Sequence, residues 1–480
     1  MSNDKSTVNN NLEVMTSLEK KRETINNVSP SFCTAKWLQT TLYLQTGFNH
    51  SCHHPSPHKI PVEEVKANPA ALHNSKYKKQ QRAKMLKGDR PDECSYCWNI
   101  EDLGKNYFSD RQTKTADYWA WDRFEEIASS DPDSDMFPSY LEVSFSNACN
   151  FACAYCSPDQ SSTWMADIKK NGPYPVEFGN HDLTHLKERE QYPYAHDEYN
   201  PYVEAYNIWL PEVLPHLKVF RFTGGEPTMS KDFWKTLDYI KGNPREDLEI
   251  SVNTNLGVKT ELIDKLIKYG SELDDTCKEF VIFTSNESHG SQAEYVRDGL
   301  DYNDWMNNIE KILSTTSLRI CIMTTINILS LPNFTLFLQD IIDLRQKYNL
   351  DGYSNRVMVS FNYLRFPPHL QVTILDKFTR EKYADEIEKY AMKFHRDVSP
   401  TVESRFLLEE LDQIKRFCDY MRKEDSSGMK YRNNFIQFIT EYDRRRNKNF
   451  IETFPEFLPF WEVCKEEALS LGLIPVKQVE

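Results

Sequence analysis

Cys149, Cys153 and Cys156 stand four and three residues apart in the run Ser-Asn-Ala-Cys-Asn-Phe-Ala-Cys-Ala-Tyr-Cys. Three thiolates on one tight loop can hold three corners of a four-iron, four-sulfur cluster, which takes four cysteines when fully ligated. With three on the loop, one iron stays open to a substrate or cofactor, which suits a cluster that does chemistry rather than one that stores electrons. The alternative is structural zinc, whose sites usually come as paired Cys-x-x-Cys halves, a shape this triplet lacks. The cysteines follow directly on an alternating apolar segment, Tyr140 to Phe145, that reads as a strand ending at the loop.

About seventy residues later a second strand-like run, Val219 to Thr223, ends in Gly224-Gly225-Glu226-Pro227. Two glycines let a backbone approach a ligand with no Cβ in the way. A carboxylate can receive an ammonium group as a charge-assisted hydrogen bond, and proline closes the strand and sets the turn. Together the Cys-x-x-x-Cys-x-x-Cys loop, with Tyr155 before its third cysteine, and the Gly-Gly-Glu-Pro turn resemble the two signatures of the radical S-adenosylmethionine (SAM) superfamily. The resemblance implies a [4Fe-4S] cluster on Cys149, Cys153 and Cys156, with SAM held by Tyr155, Gly224, Gly225 and Glu226.

The elements that position these groups can be counted out along the chain. Strand patterns at 140–146, 218–223, 248–254, 279–285, 318–327 and 356–364 alternate with helical patterns at 158–170, 231–241, 260–269, 303–315 and 333–348. Such alternation argues for a parallel sheet with right-handed crossovers. With the motifs, it resembles the partial (βα)6 TIM-like barrel of radical SAM enzymes, an α/β fold, here over residues 136–370. The insertion at 171–215 reads either as a helical excursion or as a wall beside the site, since functional loops of such barrels sit at the strands' C-terminal ends. Asn253-Thr254-Asn255-Leu256 is similar to a Thr-Asn-Gly found at this place in relatives, with Leu256 replacing the glycine. By the same resemblance Thr284 and Asn286, at the fourth strand's end, would bond the ribose hydroxyls. Arg297 would grip the methionine carboxylate through a guanidinium fork. Asn327, after the fifth strand, reads as a cap of the following loop.

Residues 29–128 hold a second set of thiols. Cys33 precedes an alternating run at 41–47, Cys52 follows with His53 and His54, and Cys94-Ser95-Tyr96-Cys97 closes the set. This order resembles the SPASM/twitch module, which in most relatives follows the barrel and here precedes it. The resemblance implies an auxiliary [4Fe-4S] cluster on Cys33, Cys52, Cys94 and Cys97; zinc on the same cysteines, or on a Cys and His mixture, is the alternative. The histidines at 50, 53, 54 and 58 read as hydrogen-bonded surface or core residues, and Cys277, Cys321, Cys418 and Cys464 as packing residues.

Residues 1–28 are rich in Asn, Ser, Glu and Lys and read as a frayed or disordered start. Residues 371–480 read as helical, with Arg444-Arg445-Arg446 as a solvated helix face beside an aromatic stripe. Mean hydropathy of −0.65 describes a soluble globular protein. No apolar run is long enough to cross a bilayer, and the polar start lacks a secretory core. Eleven cysteines without such a signal point to a reducing, cytoplasmic setting where thiols serve metals. The net charge of −14, from 58 basic and 72 acidic residues, argues against a nucleic-acid partner.

The resemblance implies an enzyme that cleaves SAM reductively to a 5′-deoxyadenosyl radical, with flavodoxin or ferredoxin as one-electron donor. A SPASM/twitch-like module favours a peptide or protein side chain as substrate, as for a maturase. A sugar or nucleotide is the second reading, and a non-catalytic iron–sulfur or zinc scaffold a third.

Overall fold

The computed structural model describes residues 17–177, 182–195, 198–349, 356–399, 401 and 404–472. Nine strands form one sheet in the order β11-β10-β8-β7-β6-β4-β1-β2-β3. Six of them are the barrel strands: β4 (Tyr140–Ser144), β6 (Val219–Thr223), β7 (Glu249–Thr254), β8 (Glu279–Ser285), β10 (Arg319–Met323) and β11 (Val357–Ser360). Every neighbouring pair among them is parallel. Each lies inside its expected range. Crossover helices return the chain between strands: α1 (Ser162–Asn171), α2 (Lys231–Gly242), α3 (Thr260–Asp274), α4 (Tyr302–Thr315) and α5 (Phe334–Tyr348). The result is a partial (βα)6 barrel, with its parallel strands' C-terminal ends on one side.

Strand alternation sorts the side chains. In β6, Phe220 and Phe222 are fully buried under the helices, whereas Val219, Arg221 and Thr223 face the other way and are only partly covered. Arg221 and Thr223 therefore line the barrel lumen.

The cysteine-rich segment shares this sheet. Strand β1 (Gln39–Tyr43) runs parallel to β4, pairing Thr41 with Glu142, and continues through β2 (Phe48–His50) to β3 (His58–Lys59) in antiparallel pairs. Sequence periodicity showed the strand but not its partner, because the pairing closes a loop of about a hundred residues. A second apolar cluster, around Phe32, Trp37, Trp98 and Phe124, belongs to this segment.

Two expectations are corrected. Residues 17–28 are helical, with Ile25 fully buried and Lys21 Nζ donating to the Ala116 carbonyl at 2.7 Å. This part of the expected frayed start thus docks on the module; residues 1–16 lie outside the described residues. The C-terminal region is helical, with α6 (Lys377–Met392), α7 (Leu408–Arg422), α8 (Arg432–Arg446) and α9 (Leu458–Ser470). Its arginine triplet, however, is not a solvated face. The side chains of Arg445 and Arg446 are 2% and 7% exposed and bind Asp167, while only Arg444 is open. An aromatic stripe around Tyr442 presses this face of α8 onto the barrel, carrying the arginines inward with it.

Candidate functional site

Strand β4 ends at the loop that carries Cys149, and the Gly-Gly-Glu-Pro turn after β6 is clamped to that loop. Gly225 N–H donates to the Ser146 carbonyl at 3.2 Å and Glu226 N–H to the Ala148 carbonyl at 2.6 Å. A Cβ on Gly225 would lie 2.4 Å from the Ala148 oxygen, and one on Gly224 2.5 Å from Ser144 Oγ. Gly224 also has φ +119°, a conformation that favours glycine. The expected reason for the glycines was approach to a ligand; in the structure they admit the backbone of the cysteine loop. Start of α1 fixes the other side, Thr163 Oγ1 donating to the Cys149 carbonyl at 2.6 Å.

Glu226 is fully enclosed and accepts four hydrogen bonds. Oε1 takes Thr228 N–H (3.1 Å), Thr228 Oγ1 (2.6 Å) and Thr254 Oγ1 (2.9 Å), and Oε2 takes Asn255 N–H at 2.7 Å. Burial pushes its carboxyl above the usual range and these bonds pull it back. Oε2 keeps lone-pair capacity for a further donor. Asn255 then reaches Asn150 Oδ1 at 2.8 Å and Cys149 Sγ at 3.9 Å, so strands β6 and β7 both brace the thiol loop. Leu256 takes the left-handed conformation at φ +51°.

Cys153 lies on a two-residue strand, β5 (Ala152–Cys153), paired antiparallel with β9 (Arg297–Asp298) so that Cys153 faces Arg297. Arg297 Nη1 is 3.8 Å from Cys153 Sγ, and Nη2 donates to Glu287 Oε2 at 2.6 Å. Tyr155 Oη donates to the same carboxylate at 3.1 Å. Glu287 was missed in the sequence. Its signal was position: a carboxylate immediately after Asn286, needed as counter-charge once Arg297 is buried. Arg297, expected to grip a methionine carboxylate, is thus already holding an internal one.

The strand-end pair divides. Thr284 is fully buried and accepts Trp305 Nε1 at 3.0 Å, so it points into the helix layer, away from the lumen and from the ribose role expected of it. Strand alternation is the cause, since Phe283 and Ser285 take the lumen side. Asn286 Oδ1 accepts Glu287 N–H at 2.8 Å, while its buried Nδ2 has no hydrogen-bond partner among the described residues. Asn327 caps the turn after β10, accepting Leu329 N–H at 2.9 Å.

Burial pushes the Cys149 thiol up to about 12 and raises Cys153 and Cys156, against which Arg297 pulls Cys153 down. Loading metal on this loop therefore displaces protons. Two of the three sulfurs have donors that would support a thiolate, Phe151 N–H on Cys149 at 3.5 Å and Arg297 Nη1 on Cys153 at 3.8 Å, whereas the Cys156 thiol donates to the Ser157 carbonyl at 3.8 Å.

Cys33, Cys52, Cys94 and Cys97 line one small cavity with Lys36, Arg111 and Lys114. The first precedes the helix Ala35–Leu38, the second follows β2, and the last two bracket the start of the helix Ser95–Glu101. Burial raises Cys33 and pushes Cys94 and Cys97 up to about 12. The neighbouring histidine is engaged elsewhere: His54 stacks on Tyr96 at 3.6 Å and bonds Asp110 at 2.7 Å. Among the described residues no three His, Cys, Asp or Glu side chains converge closely enough for one metal ion.

Between the two cysteine groups opens a cleft of about 640 Å³. It runs from His53, beside Cys52, to Gly224 of the turn, and is walled by the β1–β2 hairpin, the lumen face of the barrel and Gln191 of the insertion.

This architecture is that of a partial-barrel enzyme with its chemistry gathered at the strands' C-terminal ends. Residues 143–345 match the model of the Radical SAM superfamily. Curated relatives include the GTP 3′,8-cyclases of Clostridium botulinum strains Hall and ATCC 19397, each 25% identical over 176 residues, 37% of this chain and 44% of the relative. The chain thus spans less than half the length of these relatives. Among solved structures, native anSMEcpe with bound AdoMet and Kp18Cys peptide is 14% identical, covering 54% of this chain and 61% of that one at a TM-score of 0.31. Streptococcus suis SuiB bound to S-adenosylmethionine is 13% identical, covering 74% and 68% at 0.30. Among the described residues no helix is long and apolar enough to cross a membrane.

Proposed function

We propose that the chain is a radical SAM enzyme that modifies a peptide or protein side chain, with one [4Fe-4S] cluster on Cys149, Cys153 and Cys156 and a second on Cys33, Cys52, Cys94 and Cys97. The observation that carries the reading is the double clamp of Gly225 and Glu226 onto the cysteine loop, which makes both signatures one unit. When bound, cluster and SAM supply the electron and the 5′-deoxyadenosyl radical that takes a hydrogen atom from substrate, the electron coming from a flavodoxin or ferredoxin. In this reading Glu226 Oε2 receives the methionine ammonium, and the unpaired Asn286 Nδ2 meets the ribose. Tyr155 and Glu287 hold Arg297 against Cys153, and the glycines seat the loop.

For the second set, four thiols lining one cavity support a fully ligated four-iron cluster, with zinc on the same cysteines as the alternative. All eleven cysteines are free thiols, in keeping with a reducing cytoplasmic setting. The shared sheet supports a module and barrel that act as one unit around the cleft. A nucleotide substrate is the second reading, favoured by the partial likeness to GTP 3′,8-cyclase.

Anaerobic reconstitution tests the proposal. About eight irons per chain are expected, with 5′-deoxyadenosine released on adding dithionite and SAM. Cys153→Ala should abolish release, and Cys94→Ala should remove about half the iron while leaving some release. About four irons with one zinc would overturn the second cluster, and no 5′-deoxyadenosine would overturn the enzyme.

A further inference from the structure

The lumen end of the cleft is charged, and its charges are unevenly satisfied. Arg221, on β6, is the only Lys or Arg among the described lining residues, against the carboxylates of Glu142 and Asp159. Its Nε donates to Asn253 Oδ1 at 3.1 Å and its guanidinium lies 4.4 Å over the Phe283 ring. Met323 Sδ is 3.4 Å from Nη2. The nearest carboxylate oxygen, of Glu142, stands 3.9 Å away, beyond hydrogen-bond distance. Buried arginines elsewhere in the barrel close on their acids: Arg297 on Glu287 and Arg345 on Glu410, both at 2.6 Å. Arg221 is therefore held in place by neutral neighbours and left without a bidentate anion, on the wall of a cleft that ends beside Gly224.

Glu142 is likewise underused. It is 7% exposed and, among the described residues, accepts only the Thr223 hydroxyl, at 3.3 Å, besides the distant Arg221. Asp159 accepts Gln160 Nε2 at 2.9 Å. One guanidinium flanked by two carboxylates can hold a singly charged group with hydrogen-bond donors close by. It repels a polyphosphate, which needs several cations or a run of backbone N–H groups.

Resting on the reading of this cleft as the substrate site, we infer that Arg221 anchors one carboxylate of the substrate while Glu142 and Asp159 receive adjacent N–H or O–H donors. The cleft thereby selects an acidic amino-acid residue of a peptide over a phosphorylated metabolite.

The test measures binding without reductant, so it does not depend on SAM cleavage. Reconstituted full-length protein saturated with SAM is titrated with N-acetyl-glutamate amide, N-acetyl-glutamine amide and GTP. The glutamate probe should bind at least tenfold more tightly than its uncharged isostere and more tightly than GTP. Arg221→Gln should erase the difference and Arg221→Lys retain part of it. Glu142→Gln keeps an oxygen that accepts the substrate's donors but removes a negative charge beside Arg221, so it should raise the preference for the glutamate over the glutamine probe severalfold, an effect a merely structural role would not give and one that does not rely on Arg221→Gln folding. Equal binding of the two amides or preference for GTP would each overturn the inference. If acid selectivity holds while no 5′-deoxyadenosine forms, the proposed activity falls and the anchor stands.

Discussion

Arg297 stands between Cys153 and Glu287, its Nη1 3.8 Å from the sulfur and its Nη2 2.6 Å from the carboxylate. The pair is almost wholly buried, with side chains 5% and 0% exposed. Removing one partner of such a pair leaves an uncompensated charge and costs about 3–5 kcal/mol. Glu287→Gln should therefore lower stability by roughly 3 kcal/mol and weaken iron retention at the Cys153 corner. Glu424→Gln, which breaks a pair whose acid is 86% exposed, should leave the midpoint almost unchanged. Denaturant midpoints and iron content after gel filtration check both, and equal losses in the two variants would refute the bracing role.

Gly225 is the second point of strain. A methyl group there would sit 2.4 Å from the Ala148 carbonyl oxygen, so the cysteine loop or the turn must move. Gly225→Ala should cost about 1–3 kcal/mol and lower the iron bound by the barrel loop. Gly242, where an added Cβ meets nothing within 4 Å, serves as the control. Electron paramagnetic resonance of the reduced protein would report the difference, and an unchanged SAM-perturbed signal in Gly225→Ala would contradict it.

The barrel was legible because its strands carry local signals: apolar runs of the right length, each followed by a helical period, with the Gly-Gly-Glu-Pro turn at the end of β6. What stayed hidden depends on contacts between distant segments. The pairing of Thr41 with Glu142 makes the cysteine-rich segment an extension of the barrel sheet, and no window of sequence shows it. Thr284 lay at the expected strand end, yet one step of alternation turns it to Trp305 and away from the lumen. Glu287 and Arg221 become visible as site residues only when their partners are placed. The arginine triplet looked like a solvated face because charge count favours solvent; the acids that draw it inward, Asp167 and Asp298, lie more than a hundred residues upstream.

Arg446 provides a test of that inward latch. It bonds Asp298 at 3.1 Å, lies over the rings of Tyr442 and Trp164 at 4.1 and 4.4 Å, and so ties α8 to the strand that faces Ala152 and Cys153. Arg446→Met should destabilise the protein by about 3 kcal/mol and speed iron loss to a chelator. Arg444, 60% exposed and paired among the described residues with Glu441, should tolerate the same change with almost no shift in the denaturant midpoint. Similar chelation rates for both variants would mean that α8 does not support the thiol loop.

Burial also makes the cysteine-rich module acid-sensitive at a residue outside the thiol set. His58 packs on Tyr77 at 4.3 Å and meets Ser75 Oγ at 3.3 Å. Desolvation, with Lys78 and Lys36 near, lowers its pKa to about 3. An unfolded chain takes that proton near pH 6.5. The depressed folded value means that the contribution to stability is complete above pH 6.5 and is lost progressively as pH falls toward 3. At pH 5.5 the loss from this one group is about 1.4 kcal/mol. His58→Asn removes the titration, so its denaturant midpoint should fall less between pH 7.5 and 5.5 than that of the unmodified chain, by roughly this amount. Matching pH slopes in the two proteins would show that His58 is protonated as readily in the fold as outside it.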